Sequence, residues 1–364
     1  MKKLVYYFFL FLVFILMFFV PAEIFLRIKK HFSPESDSNP AGSIHQYFYY
    51  DSDGCARIRP GSKGKHISYR GEKPVFIKIN SIGIRGPELR KHPKLRIVFL
   101  GDSVVFAGGV PFEYTLTAQI EKKMSQACPE KDIECLNFGV TDSGISQYYL
   151  KLKYHALEVK PDVVVIGFYL NDSRSPQGFL GEEGKVKWEQ DLEKSPFYQW
   201  EIVKTYHQCF RKWRYTHHPE LKDRFKWVRR YLGNKYLEDE NDWNSLLEEA
   251  EFDWGAAWKK ENWTTIENHL GKINQLCHDN QIRLFLVCFP VSLQISIQKP
   301  YLNLLDPQEK IRRICARFGI VYYDLIPALK RNQMKPIFID QCHLTKIGCD
   351  VVSQALFEWL KDTL

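Results

Sequence analysis

Five short runs along this chain are mainly apolar: Arg96–Leu100, Glu134–Phe138, Val163–Phe168, Leu284–Phe289 and Val321–Tyr323. Runs this short without alternation predict strands buried on both faces. Between them, apolar residues recur every three or four positions: Leu116, Ile120 and Met124; Tyr148, Leu152 and Ala156; Ile266, Leu270, Ile273 and Leu276. That is the period of a helix with one buried face. A last helix is expected after Thr345, a capping residue, with Ile347, Val351, Ala355 and Trp359 along one face. Buried strands alternating with helices predict a central parallel sheet with helices on both faces, an α/β body over residues 95–364. In such sheets ligands sit beyond the carboxyl ends of the strands, so chemistry should appear just after them.

Two stretches depart from this rhythm. Residues 31–94 are rich in Ser, Gly, Pro and charge, with short alternating pieces such as Val75–Ile79, and read as a stalk with a small irregular lead-in. Residues from about 174 to 262 carry Trp188, Trp200, Trp213, Trp227, Trp243, Trp254 and Trp258 and a basic cluster from Arg211 to Arg230, and read as an inserted helical subdomain. In it Leu221, Phe225, Val228 and Leu232 make an apolar face, with Lys222, Lys226, Arg229 and Arg230 turned away. The basic face is either solvated surface or a contact for a membrane or an anionic glycan. The tryptophans either line a sugar cleft or pack the insert.

The N-terminus changes the picture of where the body works. Lys2 and Lys3 precede the uncharged run Leu4–Val20, then Pro21, Ala22 and a charged flank. As a helix this run spans about 25 Å, enough with Ile24–Leu26 for a membrane anchor over residues 1–30. A cleaved signal peptide, with Val20-Pro21-Ala22 as the cleavage site, is the rival reading, and a buried core helix a third. The first two place the body outside the cytoplasm, periplasmic or extracellular. Lys and Arg on both flanks leave the orientation open.

Composition adds little beyond exclusions. With 364 residues, 45% hydrophobic and 26% charged, the chain is neither disordered nor fibrous. A mean hydropathy of -0.32 excludes a polytopic membrane protein. The formal charge of +8 suggests anionic partners, but no helix-turn-helix, RNP or zinc-finger pattern points to nucleic acid. The nine cysteines include no CxxC pair, so no zinc ribbon or other metal site is expected, and His217-His218 is isolated. Cys128 and Cys135 bracket a polar loop and are the best disulfide pair; Cys277, Cys288 and Cys315 lie in apolar stretches and read as buried thiols.

Candidate chemistry follows the strands, as the architecture requires. After the first comes Gly101-Asp102-Ser103, where a serine at a strand-to-helix turn projects its hydroxyl above the sheet and its N–H toward an anion. After the second stands Gly139, whose N–H can approach an oxyanion with no side chain in the way. Asn171-Asp172 follows the third and offers an amide donor. Before the last helix, Asp340-Gln341-Cys342-His343 lets a carboxylate orient an imidazole three residues on. Each signal is weak alone; their joint order is not.

On these residues the chain resembles the SGNH hydrolase superfamily, the GDSL-like lipases and esterases. Its first block matches Gly101-Asp102-Ser103, its second-block glycine Gly139, its third-block asparagine Asn171 and its last block Asp340 and His343. The resemblance runs from roughly 96 to 364, leaving out the insert. The stretch Asn80–Gly86, with the N-terminal run, looks like membrane-anchored bacterial members. The family often has Gly where this chain has Ala107 and Tyr169. The resemblance implies a flavodoxin-like three-layer sandwich and acyl transfer without a cofactor. Ser103 would be the nucleophile, His343 the base and Asp340 its orienting acid. The Ser103 N–H, Gly139 N–H and Asn171 side chain would form the oxyanion hole. Asp102 would hold the turn, and Cys342 is a minor alternative nucleophile.

The reading that follows is an exported, membrane-anchored serine esterase that removes an O-acyl group, acetyl above all, from a carbohydrate or lipid. Two alternatives stand beside it: an O-acetyltransferase acting on an envelope polysaccharide, and a non-catalytic anchored module that binds glycan.

Overall fold

The computed structural model describes residues 6, 7, 9, 13, 15–32, 44–66, 74–173, 196–200, 202, 203, 205, 206, 209, 240–251, 253–296 and 303–364. The chain divides into two compact units, Met1–Asn39 with Glu182–Arg224, and Pro40–Gly181 with Phe225–Leu364.

In the first unit, a helix α1 (Val20–Phe32) continues the turns at Ile15–Phe19. Glu23 is buried on it, accepting from Arg27 Nε at 2.6 Å and from the Ile202 N–H at 2.9 Å. Phe19 and Trp200 pack ring to ring, centroids 5.0 Å apart. Residues 4, 5, 8, 10–12 and 14 of the expected span lie outside the described residues, as does the face Leu221–Leu232. Among the described residues no helix is long and apolar enough to cross a membrane.

The second unit holds a parallel sheet of five strands, β5 (Leu95–Gly101), β6 (Ile133–Gly139), β7 (Val163–Tyr169), β8 (Arg283–Phe289) and β9 (Val321–Asp324), in the order β6-β5-β7-β8-β9. Every residue of β6 and β7 is buried; β7 is an unbroken apolar run, whereas β6 also buries Asn137 and Glu134, the latter paired with Arg96 Nε at 2.7 Å. Burying each Val, Leu or Ile contributes roughly 1.5–3 kcal/mol. Helix α3 (Leu116–Ala127) packs on α9 (Lys346–Thr363), and α6 (Asn262–Asp279) on α4 (Ile145–Tyr154) and α7 (Asp306–Phe318), so helices cover both faces. Thr345 caps α9 through its Oγ1, which accepts the Gly348 N–H at 3.0 Å. Ile347 differs from expectation: it is exposed, and the buried stripe of α9 runs through Val352, Leu356 and Leu360.

The order places β5 between β6 and β7, where the winding reverses. Successive connections leave a crevice beyond the carboxyl ends of β5 and β7 at such a switch point.

Two regions are better ordered than their sequences suggest. The lead-in forms two antiparallel hairpins, β1 (Phe48–Tyr50) with β2 (Ala56–Ile58) and β3 (Lys63–His66) with β4 (Val75–Lys78). The apolar residues Ile44, Phe48, Ile58, Ile77 and Ile79 enclose Phe106 and Val140 in a second small core, so this part of the lead-in packs on the body, while residues 33–43 of the expected stalk lie outside the described residues. The C-terminal end of the expected insert belongs to the main core: α5 (Glu240–Glu249) buries Trp243 and Leu246 beside Trp254 and Ala257.

Candidate active site

Three glycines lie in one row across the sheet, Gly101 of β5 in register with Gly139 of β6 and Gly167 of β7. A Cβ on Gly101 or Gly167 would overlap Val105 Cγ2, and one on Gly139 would strike the Phe106 backbone nitrogen. The row is the floor on which the single-turn helix α2 (Ser103–Phe106) lies, with Ser103 at its first position. Asp102 caps it, Oδ1 accepting the Val104 N–H at 2.8 Å. Burial pushes the Asp102 carboxyl up to about 6, against the opposing pull of that N–H. Ala107 ends the turn at φ 56, the left-handed conformation that glycine takes most readily, which accounts for the glycine expected there.

Ser103 Oγ stands 2.9 Å from His343 Nε2, and His343 Nδ1 2.7 Å from Asp340 Oδ2. The other Asp340 oxygen accepts the backbone N–H groups of Cys342 (3.0 Å) and His343 (2.8 Å), so the carboxylate folds its own turn before it reaches the ring. Across the turn the Ile339 N–H donates to His343 O at 2.7 Å. An ionised carboxylate only accepts, so Nδ1 carries the ring proton and Nε2 presents its lone pair to Ser103. Burial works against charge on both groups, but the mutual hydrogen bond and attraction prevail: Asp340 is held below the usual carboxylate range and His343 above the usual imidazole value.

The expected oxyanion donors divide. Among the described residues no acceptor takes the Ser103 N–H. Asn171, in the turn Leu170–Ser173 after β7, sits beside Asp102 and helps keep its carboxylate charged, while its Oδ1 is buried without a hydrogen-bond partner. That turn is fixed by Asp172, which accepts the Tyr169 N–H at 3.0 Å and the Tyr148 hydroxyl at 2.7 Å.

Gly139 does not serve as expected. Its N–H donates to Asn137 Oδ1 at 3.0 Å, and its lack of a side chain makes room for the α2 backbone. What β6 brings to the site is the loop beyond it, where Asp142, at φ 60, is close enough for its charge to bear on Asp102.

Other sequence candidates resolve as structure. Cys342 Sγ lies 3.6 Å from His343 Nδ1, the nitrogen turned away from Ser103, and burial drives its thiol well above the ordinary value, so it is a poor nucleophile. Asp340, Cys342 and His343 hold potential metal-ligand atoms within 4.8 Å of one another, but the same atoms are already spent on one another. Tyr169, where a glycine was expected, is fully buried beside Cys342. Cys128 and Cys135 are both free thiols, so the expected disulfide is not formed; Cys277, Cys288 and Cys315 are buried.

Trp243, Trp254 and Trp258 pack on one another, centroids 5.3–6.0 Å apart, and the Nε1 groups of Trp243 and Trp258 bond to Asn303. With Trp243 and Trp254 buried, these rings are packing and no sugar platform. Trp188, Trp213, Trp227 and His217-His218 lie outside the described residues.

Two residues the sequence did not mark for the site bear on it. Asn137, a polar residue within a buried strand, donates through Nδ2 to Val105 O at 2.8 Å. Arg85, within the stretch Asn80–Gly86, reaches the far end of α2. A buried Asn inside an apolar run was the available signal for the first; nothing local betrays the second.

No family model matches the chain, and no curated protein matches it. Solved structures similar to it include LAE5, an alpha/beta hydrolase enzyme from the metagenome of Lake Arreo, Spain, at 15% identity and TM-score 0.41, covering 72% of this chain and 94% of that one. Another is the acetyl xylan esterase AlAXEase, at 14% identity and TM-score 0.41, covering 72% and 98%. A third is a catalytic mutant of Axe2, an acetylxylan esterase from Geobacillus stearothermophilus, at 14% identity and TM-score 0.43, covering 72% and 93%. Similarity this low assigns no chemistry, which is left to the geometry of the site.

Proposed function

We propose that this chain is a serine esterase of SGNH type. The observation that carries the proposal is the continuous hydrogen-bonded line from Ser103 Oγ through His343 to Asp340, assembled at the switch point of the sheet from residues far apart in sequence. Ser103 Oγ attacks the acyl carbonyl as its proton passes to His343 Nε2. The imidazolium so formed is stabilised by Asp340. The carbonyl oxygen, now negative, is received by the Ser103 N–H and the Asn171 amide. As the tetrahedral intermediate collapses, His343 returns the proton to the departing alcohol and the acyl group stays on Ser103. Water, deprotonated by the same nitrogen, then releases the carboxylic acid and restores the serine.

The substrate class is an O-acyl ester of a carbohydrate or lipid, outside the cytoplasm, with Leu4–Val20 as the anchor. The sequence pattern of the N-terminus supports this placement. Resistance of the full chain to carbonate extraction from membranes, with the body cleaved by protease added from outside, checks it.

The test of the chemistry is labelling by a fluorophosphonate, which phosphonylates an activated serine. The purified protein should be labelled and Ser103→Ala should not. A well-folded protein that takes no label sinks the reading.

A further inference from the structure

The triad makes no use of Asn80–Gly86, yet this stretch is folded with care. Asn80 Oδ1 accepts the N–H groups of Ile82 (3.2 Å) and Ile84 (3.1 Å), and its Nδ2 donates to Pro87 O at 2.8 Å. Gly83 takes φ 83, and a Cβ there would strike Ile58 O. The turn delivers Arg85 to a backbone bridge with Asn137 and sends its side chain under the nucleophile turn.

Arg85 is 2% exposed. Its Nη1 donates to Phe106 O at 2.6 Å and Ala107 O at 2.5 Å, and its Nη2 to Val110 O at 2.6 Å. The guanidinium carbon lies 5.4 Å from the Phe106 ring centroid. Together with the Asn137–Val105 bond, two side chains take the carbonyls at Val105, Phe106, Ala107 and Val110.

Two physical points raise this above packing. A one-turn helix has no stability of its own, so the direction of Ser103 is set by what grips the turn: Asp102 at its start, the glycine floor beneath, and Arg85 at its end. Among the described residues, moreover, the hydrogen bonds of Arg85 all go to backbone carbonyls, although Glu113 is near enough for its charge to favour the cation. Burial lowers its pKa to about 10, which still leaves it charged at neutral pH. A buried cation whose hydrogen bonds all go to backbone carbonyls is costly to keep, and only a planar fork serves three converging carbonyls at once.

We infer that Arg85 is a positioning residue for Ser103, fixing the nucleophile turn by its terminal carbonyls, so that the lead-in segment is a working part of the active site. The inference rests on the esterase reading and is tested separately from it. The full chain, Ser103→Ala, Arg85→Lys and Arg85→Ala are compared for kcat and KM on p-nitrophenyl acetate, for the rate of fluorophosphonate labelling, and for Tm. Arg85→Lys keeps the charge but not the fork. At a temperature well below its Tm, its kcat and labelling rate should fall about 10- to 100-fold with KM nearly unchanged, the scale expected of a nucleophile misplaced by an ångström or less. Arg85→Ala should lose more and regain part on addition of millimolar guanidinium.

If the wild-type chain folds but neither labels nor hydrolyses, the esterase reading fails and this inference falls with it. If the wild type labels and folded Arg85→Lys labels as fast, the positioning role alone is overturned, and a change in Tm only would make Arg85 purely structural. If neither variant folds, Arg85 is a folding determinant and the proposal is equally lost.

Discussion

The Cγ2 methyl of Val105 occupies the space that a side chain on Gly101 would need, and Gly167 on the next strand yields to the same methyl. The nucleophile turn is thus seated by contact between a β-branched residue and two bare backbones. Gly101→Ala should displace α2, lowering stability by about 1–3 kcal/mol, as overpacked cores do, and slowing fluorophosphonate labelling with it. Val105→Ala in the same chain should restore both. The check is a double-mutant cycle on Tm and labelling rate, in which simple additivity would contradict the contact.

The hydrolytic rate should depend on pH through His343. Nε2 accepts a proton only when the ring is neutral, and the neighbouring Asp340 carboxylate holds its pKa above the ordinary 6.5. The acid limb of kcat/KM should therefore have its midpoint above pH 6.5. Asp340→Asn removes the largest attraction and leaves the burial, so the midpoint should move down while the rate falls roughly 10³–10⁴-fold. The same pairing links stability to pH. The His343 contribution is fully present below 6.5 and is lost as pH rises through its folded value. The Asp340 contribution is present above the usual carboxylate pKa and is lost as pH falls through its lowered one. Stopped-flow or steady-state pH profiles of both proteins decide the first point.

Asp102 behaves in the opposite sense. Its carboxyl is raised to about 6 from 3.8, so the folded state binds the proton more tightly than the unfolded chain, and stability declines as pH rises from about 4 to 6. Asp102→Asn retains an oxygen to cap Val104 and escapes that penalty. It should raise Tm at pH 7 and leave it nearly unchanged at pH 4. An equal shift at both values would show that the carboxylate is not under this strain.

Asn171→Ala should lower kcat about 10²–10³-fold with little change in KM, the usual loss when one oxyanion donor is removed. A drop confined to KM would instead assign the side chain to ground-state binding.

The sheet was legible because buried parallel strands show as short, mainly apolar runs, even where β6 carries Glu134 and Asn137. The expected Arg96–Leu100 became Leu95–Gly101, and Val163–Phe168 became Val163–Tyr169. Ser103 was legible because it stands at the end of a strand, and Asp340 and His343 because a carboxylate and an imidazole three residues apart share the turn before the last helix. Gly139 was misread because a glycine at a strand end has two uses, exposing an N–H or admitting a neighbour. Only the three-dimensional placement of Val105–Phe106 and the Asn137 amide decides between them. The lead-in was misread because its strands are three or four residues long and bury their apolar side chains against partners such as Phe106 and Val140, remote in sequence. Ile347 was misassigned because the first turn of α9 turns Gly348 and Cys349 inward, which leaves Ile347 on the solvent side.

The serine and its base come from opposite ends of the body, at 103 and 343. The two side chains, 240 residues apart in sequence, can meet only once the segment through His343 has been made. A product truncated before 340 keeps the Ser103 hydroxyl but lacks both the imidazole and the carboxylate that line up with it.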